Sequence, residues 1–211
     1  MKKNIRGIHI LLSASAVNGH SVEELARIAV EGGASVVQLR EKVMPIDELL
    51  PIAKRMRVIC RDITFIVNDR VDLAYIVEAD GVHLGQDDLP IEYAREIFGE
   101  QCIIGISCGS LQEAEQAERE GADYIGFGHI YPTSSKIKHT PPKSLEELEK
   151  LCSAVSIPVI AIGGITLGNI SPVIQCHVGG VAILSAFSQA EDPRHTIHTL
   201  ENVWQKRRLL P

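Results

Sequence analysis

The sequence has no basic excess to offer a polyanion. Its 27 acidic residues outweigh 21 Lys and Arg, and the net charge of −6 excludes nucleic-acid binding through a broad basic face. Any phosphate recognition must therefore be local. The five cysteines contain no C-x-x-C pair, and no apolar signal-like stretch opens the chain, so a reducing cytoplasm is expected rather than a disulfide scaffold. No apolar run approaches the roughly 20 residues that cross a bilayer, so a membrane is not an expected partner. No Pro/Ser-rich linker, charge block or low-complexity tract divides the chain, and a single domain over residues 1–211 is expected. Nor does a G-x-G-x-x-G follow the first apolar segment, where a doubly wound sheet usually cradles a dinucleotide.

What is present is an alternation. With 45% hydrophobic residues the chain can bury a large core, and short Val/Ile-rich segments alternate with stretches of helical period. The first predicted strand runs through Ile8, Ile10 and Leu12, and a helix follows from Ser21 through Ala29, ended by Gly32 and Gly33. Further predicted strands are Val36–Leu39, Phe65–Val67, Gly81–Leu84, Ile103–Ile106, Tyr124–Phe127, Pro158–Ile162 and Val181–Leu184. Most are apolar on both faces, as strands between an inner core and an outer helical layer must be. A Gly/Ala/Asp turn recurs before them, at Gly32-Gly33-Ala34, Ala79-Asp80-Gly81 and Gly121-Ala122-Asp123. The pattern is that of an α/β protein built as a single (β/α)8 TIM barrel; an open doubly wound sheet is the competing architecture.

In such a barrel, chemistry belongs at the carboxyl ends of the strands, and there the sequence turns polar. The second strand runs into Gln38-Leu39-Arg40-Glu41-Lys42, two cations suited to an anionic group; alone, they read equally as partners of Glu41 in a surface ion pair. Asn68-Asp69-Arg70 follows the third strand and Gly85-Gln86-Asp87-Asp88 the fourth. Carboxylates at Asp69 and Asp88 beside Arg40 and Lys42 suit Mg²⁺ bridging to a diphosphate, although either aspartate could instead cap a helix. Ser107 follows the fifth strand. The sixth leads into His129 and then Thr133-Ser134-Ser135-Lys136, a polar loop able to wrap an anion. The seventh ends in Gly163-Gly164 and the eighth in Leu184-Ser185, where barrels most often hold a phosphate. Two anion sites result, one metal-assisted and one metal-free.

Among the histidines, His83 lies within a strand and reads as packed or supporting, while His129 stands at a strand end, where an imidazole can move protons near neutral pH or merely shape the loop. The cysteines show no spacing of an activated nucleophile.

The segments QLREK (Gln38 to Lys42), VNDRVDLA (Val67 to Ala74), ADGVHLGQDDLP (Ala79 to Pro90), GADYIGFG (Gly121 to Gly128), YPTSSK (Tyr131 to Lys136) and IPVIAIGGI (Ile157 to Ile165) resemble the thiamine-phosphate synthase family, in order and over nearly the whole chain. The resemblance implies a barrel enzyme, a Mg²⁺-dependent transferase joining hydroxymethylpyrimidine diphosphate to thiazole phosphate with release of diphosphate. It implies that Arg40, Lys42, Asn68 and Lys136 hold the pyrimidine diphosphate, with Gln38, Leu39 and Glu41 completing the binding segment around Arg40 and Lys42. It makes Asp69 and Asp88 metal ligands and brings Ser107 near the pyrimidine. Thr133, Ser135, Gly164, Leu184 and Ser185 then surround the thiazole phosphate, and Ser134, in the same loop, is a further expected substrate-binding residue. The residues expected to act in catalysis are Arg40, Lys42, Ser107, His129 and Lys136. The expected partners are these small molecules, with a homo-oligomer compatible and neither nucleic acid nor membrane involved.

The chain departs from the family pattern in Leu12-Ser13-Ala14-Ser15, in Ser135, in Lys143-Ser144-Leu145 and in His129. The last is usually proline in the synthase and histidine in the related TenI-type thiazole tautomerase, an isomerase. That chemistry releases no diphosphate and leaves Lys42, Asp69, Asp88 and Lys136 without work, so the synthase is favoured.

Overall fold

The computed structural model describes residues 2–13, 18–133 and 141–206. Its strands are β1 (Gly7–Leu12), β2 (Val36–Leu39), β3 (Thr64–Asn68), β4 (Gly81–Leu84), β5 (Ile103–Cys108), β6 (Tyr124–Gly128), β7 (Val159–Ile162) and β8 (Gly180–Ile183). Each pairs in parallel with the next, and β8 returns to β1, so the sheet closes as a (β/α)8 barrel. Around it run α1 (Val22–Glu31), α2 (Ile46–Ile59), α3 (Val71–Ile76), α4 (Ile91–Phe98), α5 (Leu111–Arg119), α6 (Leu145–Ala154), α7 (Ile170–Gln175), α8 (Ser185–Ser188) and α9 (Pro193–Lys206). Local signals set the boundaries. Ser21, Ser110 and Ser144 each accept a backbone N–H three residues on, and Ser144 forms a reciprocal capping box with Glu147. Strand ends differ from expectation by a residue or two: β3 gains Thr64 and Asn68, β5 gains Ser107 and Cys108, β6 gains Gly128, β7 loses Pro158, and β8 gains Gly180 and loses Leu184. Pro158, which has no N–H for the ladder, precedes β7, and Leu184 leaves β8 to begin α8.

Two apolar layers follow from the strict alternation of strand side chains. Outward residues such as Ile8, Val37, Leu39 and Val67 pack with Leu25, Leu49 and Met56 of the helices. Inward residues Leu11, Val36, Ile66, Ile103, Tyr124, Ile160 and Ala182 fill the barrel itself.

The recurring Ala-Asp turn is structural and lies at the amino-terminal end of the barrel. Asp80 accepts the Phe65 N–H at 2.9 Å and pairs with Lys3 at 3.1 Å, and Asp123 accepts the Ile104 N–H at 2.8 Å and pairs with Arg95 at 3.0 Å and with Lys2. Each aspartate thus ties the start of one strand to the turn before the next, on the rim where barrels place stability rather than chemistry.

Asn68, His83, Gly105 and Tyr124 are successive partners across β3 to β6 and form one interior rung. Gly105 is bare because the Tyr124 ring lies across it: a Cβ there would lie 2.1 Å from Tyr124 Cζ. Both groups are in the interior and the contact falls on the rigid ring, so Gly105→Ala should lower unfolding free energy by about 1–3 kcal/mol, the usual cost of overpacking. Urea titration checks this; an unchanged midpoint would mean that the ring moves aside freely.

Candidate active site

The carboxyl ends of the strands open into a cavity of about 520 Å³, a volume suited to small-molecule ligands. Gln38, Arg40, Lys42, Asn68, Asp69 and Asp88 line one side. Lys42 Nζ lies 3.0 Å from Asp69 Oδ2. Asp69 adopts a φ of 60°, left-handed backbone that aspartate tolerates better than most residues, and its N–H donates to the His83 carbonyl at 2.8 Å. Asp88 Oδ2 accepts the Gly85 N–H at 2.6 Å. Burial and the facing Asp69 carboxyl hold the Asp88 carboxyl above its ordinary range, against the Gly85 N–H and the Lys42 charge. The two carboxyls therefore face one another beside a lysine.

The floor is a hydrogen-bonded chain. His83 Nδ1 lies 2.9 Å from the Tyr124 hydroxyl and His83 Nε2 lies 2.9 Å from Ser107 Oγ, while Gln86 Nε2 donates to the Ser107 carbonyl at 2.7 Å. His9 donates from Nε2 to the Ile5 carbonyl at 2.7 Å and meets the Tyr124 ring edge-on at 5.8 Å. Burial brings both His83 and His9 down to about 4 and pushes the Tyr124 phenol up, so the floor carries no charge at neutral pH.

The opposite side is formed by the loops after β6, β7 and β8. Gly163 and Gly164 have φ of 101° and 63°. A Cβ on Gly163 would lie 2.4 Å from His129 Cβ, and one on Gly164 would lie 2.4 Å from the Pro132 carbonyl oxygen. Conformation and close approach both demand glycine here. The Ile130 and Tyr131 N–H groups donate to the carbonyls of Ile162 and Gly163, both at 3.0 Å. Thr133, Leu184 and Ser185 complete the wall, with Ser185 opening α8, an arrangement that barrels use for phosphate. His129 is buried at its edge, and its carbonyl accepts the Lys143 N–H at 2.8 Å.

Not every expected residue faces this space. Leu39 points outward into the strand–helix layer, so only its backbone is available to a substrate. Glu41 is a loop organiser: its carboxylate accepts the Ser13 hydroxyl at 3.0 Å and the N–H groups of Lys42 and Val43 at 2.9 and 3.2 Å. It therefore shapes the Lys42 loop and does not line the cavity, contrary to its expected place in the binding segment. Ser134, Ser135 and Lys136 lie outside the described residues. Sequence reasoning passed over His9, Gln86 and Tyr124. The available signal was parity, since His9 and Tyr124 occupy inward positions of strands that otherwise read as wholly apolar.

A family model for thiamine monophosphate synthase matches residues 9–187. The chain belongs to the thiamine monophosphate synthase family. Within that family it is similar to the thiamine-phosphate synthase of Chlorobium phaeovibrioides, 48% identical over 192 residues, 88% of this chain and 90% of that one. It is 42% identical to the thiamine-phosphate synthase of Moorella thermoacetica, over 95% of this chain and 97% of that one. A solved thiamine phosphate pyrophosphorylase from Pyrococcus furiosus shares the fold with a TM-score of 0.87 at 40% identity, covering 97% of this chain and 98% of the other. The family assignment thus agrees with the motifs from QLREK to IPVIAIGGI.

The neutral floor has a consequence for stability. A histidine that stays neutral in the fold but takes up a proton when unfolded makes stability fall as pH drops from about 6.5, its ordinary value, to about 4, its value in the fold. The urea midpoint should therefore fall between about pH 7 and about pH 5, and His9→Gln or His83→Gln should each make that fall shallower. A fall of undiminished size in both variants would show that neither ring resists protonation in the fold.

Proposed function

We propose that this chain is a thiamine-phosphate synthase, joining hydroxymethylpyrimidine diphosphate to thiazole phosphate with release of diphosphate. The observation that carries the proposal is one cavity with two unlike anion-holding walls: a wall of paired carboxylates and cations after β2 to β4, and a wall of glycine backbone and hydroxyls after β6 to β8. The first suits a metal-bound diphosphate and the second a phosphate monoester held without metal.

Arg40, Lys42 and Asn68 hold the diphosphate, joined by Lys136 from outside the described residues. Gln38 and Ser107 meet the pyrimidine. Thr133, Ser134, Ser135, Gly164, Leu184 and Ser185 hold the thiazole phosphate. Asp69 and Asp88 fit a divalent cation: their carboxyls face each other, and Asp88 is held above its ordinary pKa in part by that proximity. Among the described residues there is no group of three or more His, Cys, Asp or Glu placed to hold a metal. That suits Mg²⁺, which commonly takes one or two carboxylates and completes its shell with phosphate oxygens and water. When bound, Mg²⁺ supplies positive charge to the departing diphosphate.

In the reaction the bond between the pyrimidine methylene carbon and the diphosphate oxygen breaks, and its electron pair leaves with diphosphate. Arg40 and Lys42 meet the charge that develops on that oxygen. The thiazole nitrogen then gives its lone pair to the methylene carbon, and the thiazole phosphate held on the far wall fixes its approach. No protein nucleophile is required. Cys108, which lines the cavity, is 4% exposed with its thiol pushed up to about 12, mainly by burial.

His129 gives the second reading, a thiazole tautomerase in which this imidazole moves protons, because it is buried against Gly163 on the thiazole side. A coupling assay with both substrates and Mg²⁺, with and without chelator, separates the two. Chelator-sensitive thiamine phosphate is expected, and Asp69→Asn, Asp88→Asn and Lys42→Ala should each lower turnover about 10²-fold or more. Thiazole phosphate should still bind the three variants. No coupling by folded protein, together with a thiazole isomerisation abolished by His129→Ala, would overturn the synthase in favour of the tautomerase.

A further inference from the structure

Asn169 precedes α7, in the position from which a side chain usually caps the helix, yet it makes no such cap. Its amide is turned back on the loop instead. Oδ1 accepts the Thr166 N–H at 2.7 Å, and Nδ2 donates to the Gly164 carbonyl at 2.9 Å. The Asn169 carbonyl in turn accepts the Tyr131 hydroxyl at 3.2 Å, and the Tyr131 N–H holds the Gly163 carbonyl at 3.0 Å. Two successive carbonyls are therefore tied to residues that do not line the cavity, while Gly163, Gly164 and Ile165 do line it.

Peptide geometry turns this into a statement about donors. In a trans peptide the N–H points opposite to the C=O. With the Gly163 carbonyl held by Tyr131, the Gly164 N–H points away from Tyr131; with the Gly164 carbonyl held by Asn169, the Ile165 N–H points away from Asn169. Among the described residues neither N–H donates to a protein acceptor. A helix-capping role would leave all of this unexplained, since it would spend the Asn169 side chain on α7.

We propose that Asn169 is a positioning residue for phosphate recognition: by restraining the Gly164 carbonyl it aims the Ile165 N–H, beside the Gly164 N–H aimed by Tyr131, at the phosphate of the thiazole substrate. This rests on the assignment of that substrate above. Asn169 is the clip that keeps the donors pre-aimed, so that binding does not have to order them.

The test compares wild type with Asn169→Ala and Asn169→Asp, the second keeping size but replacing the amide donor with a carboxylate. Coupling is measured with thiazole phosphate and with the unphosphorylated thiazole alcohol. In Asn169→Ala the KM for thiazole phosphate should rise about tenfold, the size expected when a hydrogen bond to a charged group is weakened. Its kcat, the KM for the pyrimidine diphosphate and the kcat/KM for the alcohol should stay within about twofold, and Asn169→Asp should be worse for the phosphate alone. Equal losses on phosphate and alcohol would mark a structural role and overturn the proposal, as would an unchanged KM for thiazole phosphate. An NMR titration with inorganic phosphate reads the Gly164 and Ile165 amides without turnover. Shifts present in wild type and weakened in Asn169→Ala support the clip even if wild type fails to couple the substrates, which would sink the synthase assignment instead. Amides that respond equally in both proteins, or in neither, would overturn the clip.

Discussion

Room inside the barrel is the constraint on which the rest of this protein depends. Eight parallel strands enclose little more than the side chains that fill them, so a large polar group can enter only where another residue gives up its own. Gly105 does so for the Tyr124 ring, and Gly126 does so for His83, whose Cε1 would lie 3.0 Å from a Cβ at that position. The hydrogen-bonded chain from Tyr124 through His83 to Ser107 exists because two strands carry glycine on their inward faces. Chemistry above that floor then proceeds over an uncharged surface, and charge is confined to the rim.

The two ends of the barrel divide the labour. At the amino-terminal end, Asp80 and Asp123 bind backbone N–H groups and lysine or arginine partners, joining neighbouring strands. At the carboxyl end Asp69 pairs with Lys42 and Asp88 accepts the Gly85 N–H, but these two aspartates also line the cavity and face each other. The same residue type thus joins strands at one rim and lines the cavity at the other, and the difference is made by position along the strand.

Much of this was legible in the sequence because it is local. Val/Ile runs, Gly-Ala-Asp turns and the polar residues just beyond each run mark the strands and their chemical rim, and Lys42, Asp69, Asp88, Gly164 and Ser185 line the cavity. What escaped depends on contacts between distant residues. Glu41 looks like a rim ligand until Ser13, 28 residues earlier, is seen to occupy its carboxylate. Tyr124 reads as one more apolar strand residue until the register sets it beside Gly105. Leu39 is the converse case: alternation along Gln38, Leu39 and Arg40 already requires it to face outward. Asn169 carries no motif of its own, and its role emerges only from which carbonyl its amide reaches.

The helix α8 has only four residues, Ser185 to Ser188, far too few to persist by its own hydrogen bonds. It persists because Phe187 and Ser188 are fully buried. The donors at its first turn are therefore as rigid as the hydrophobic core to which Phe187 fastens them. The order of this rim is inherited from an aromatic side chain that does not line the cavity, which makes core packing a silent partner in the shape of the site.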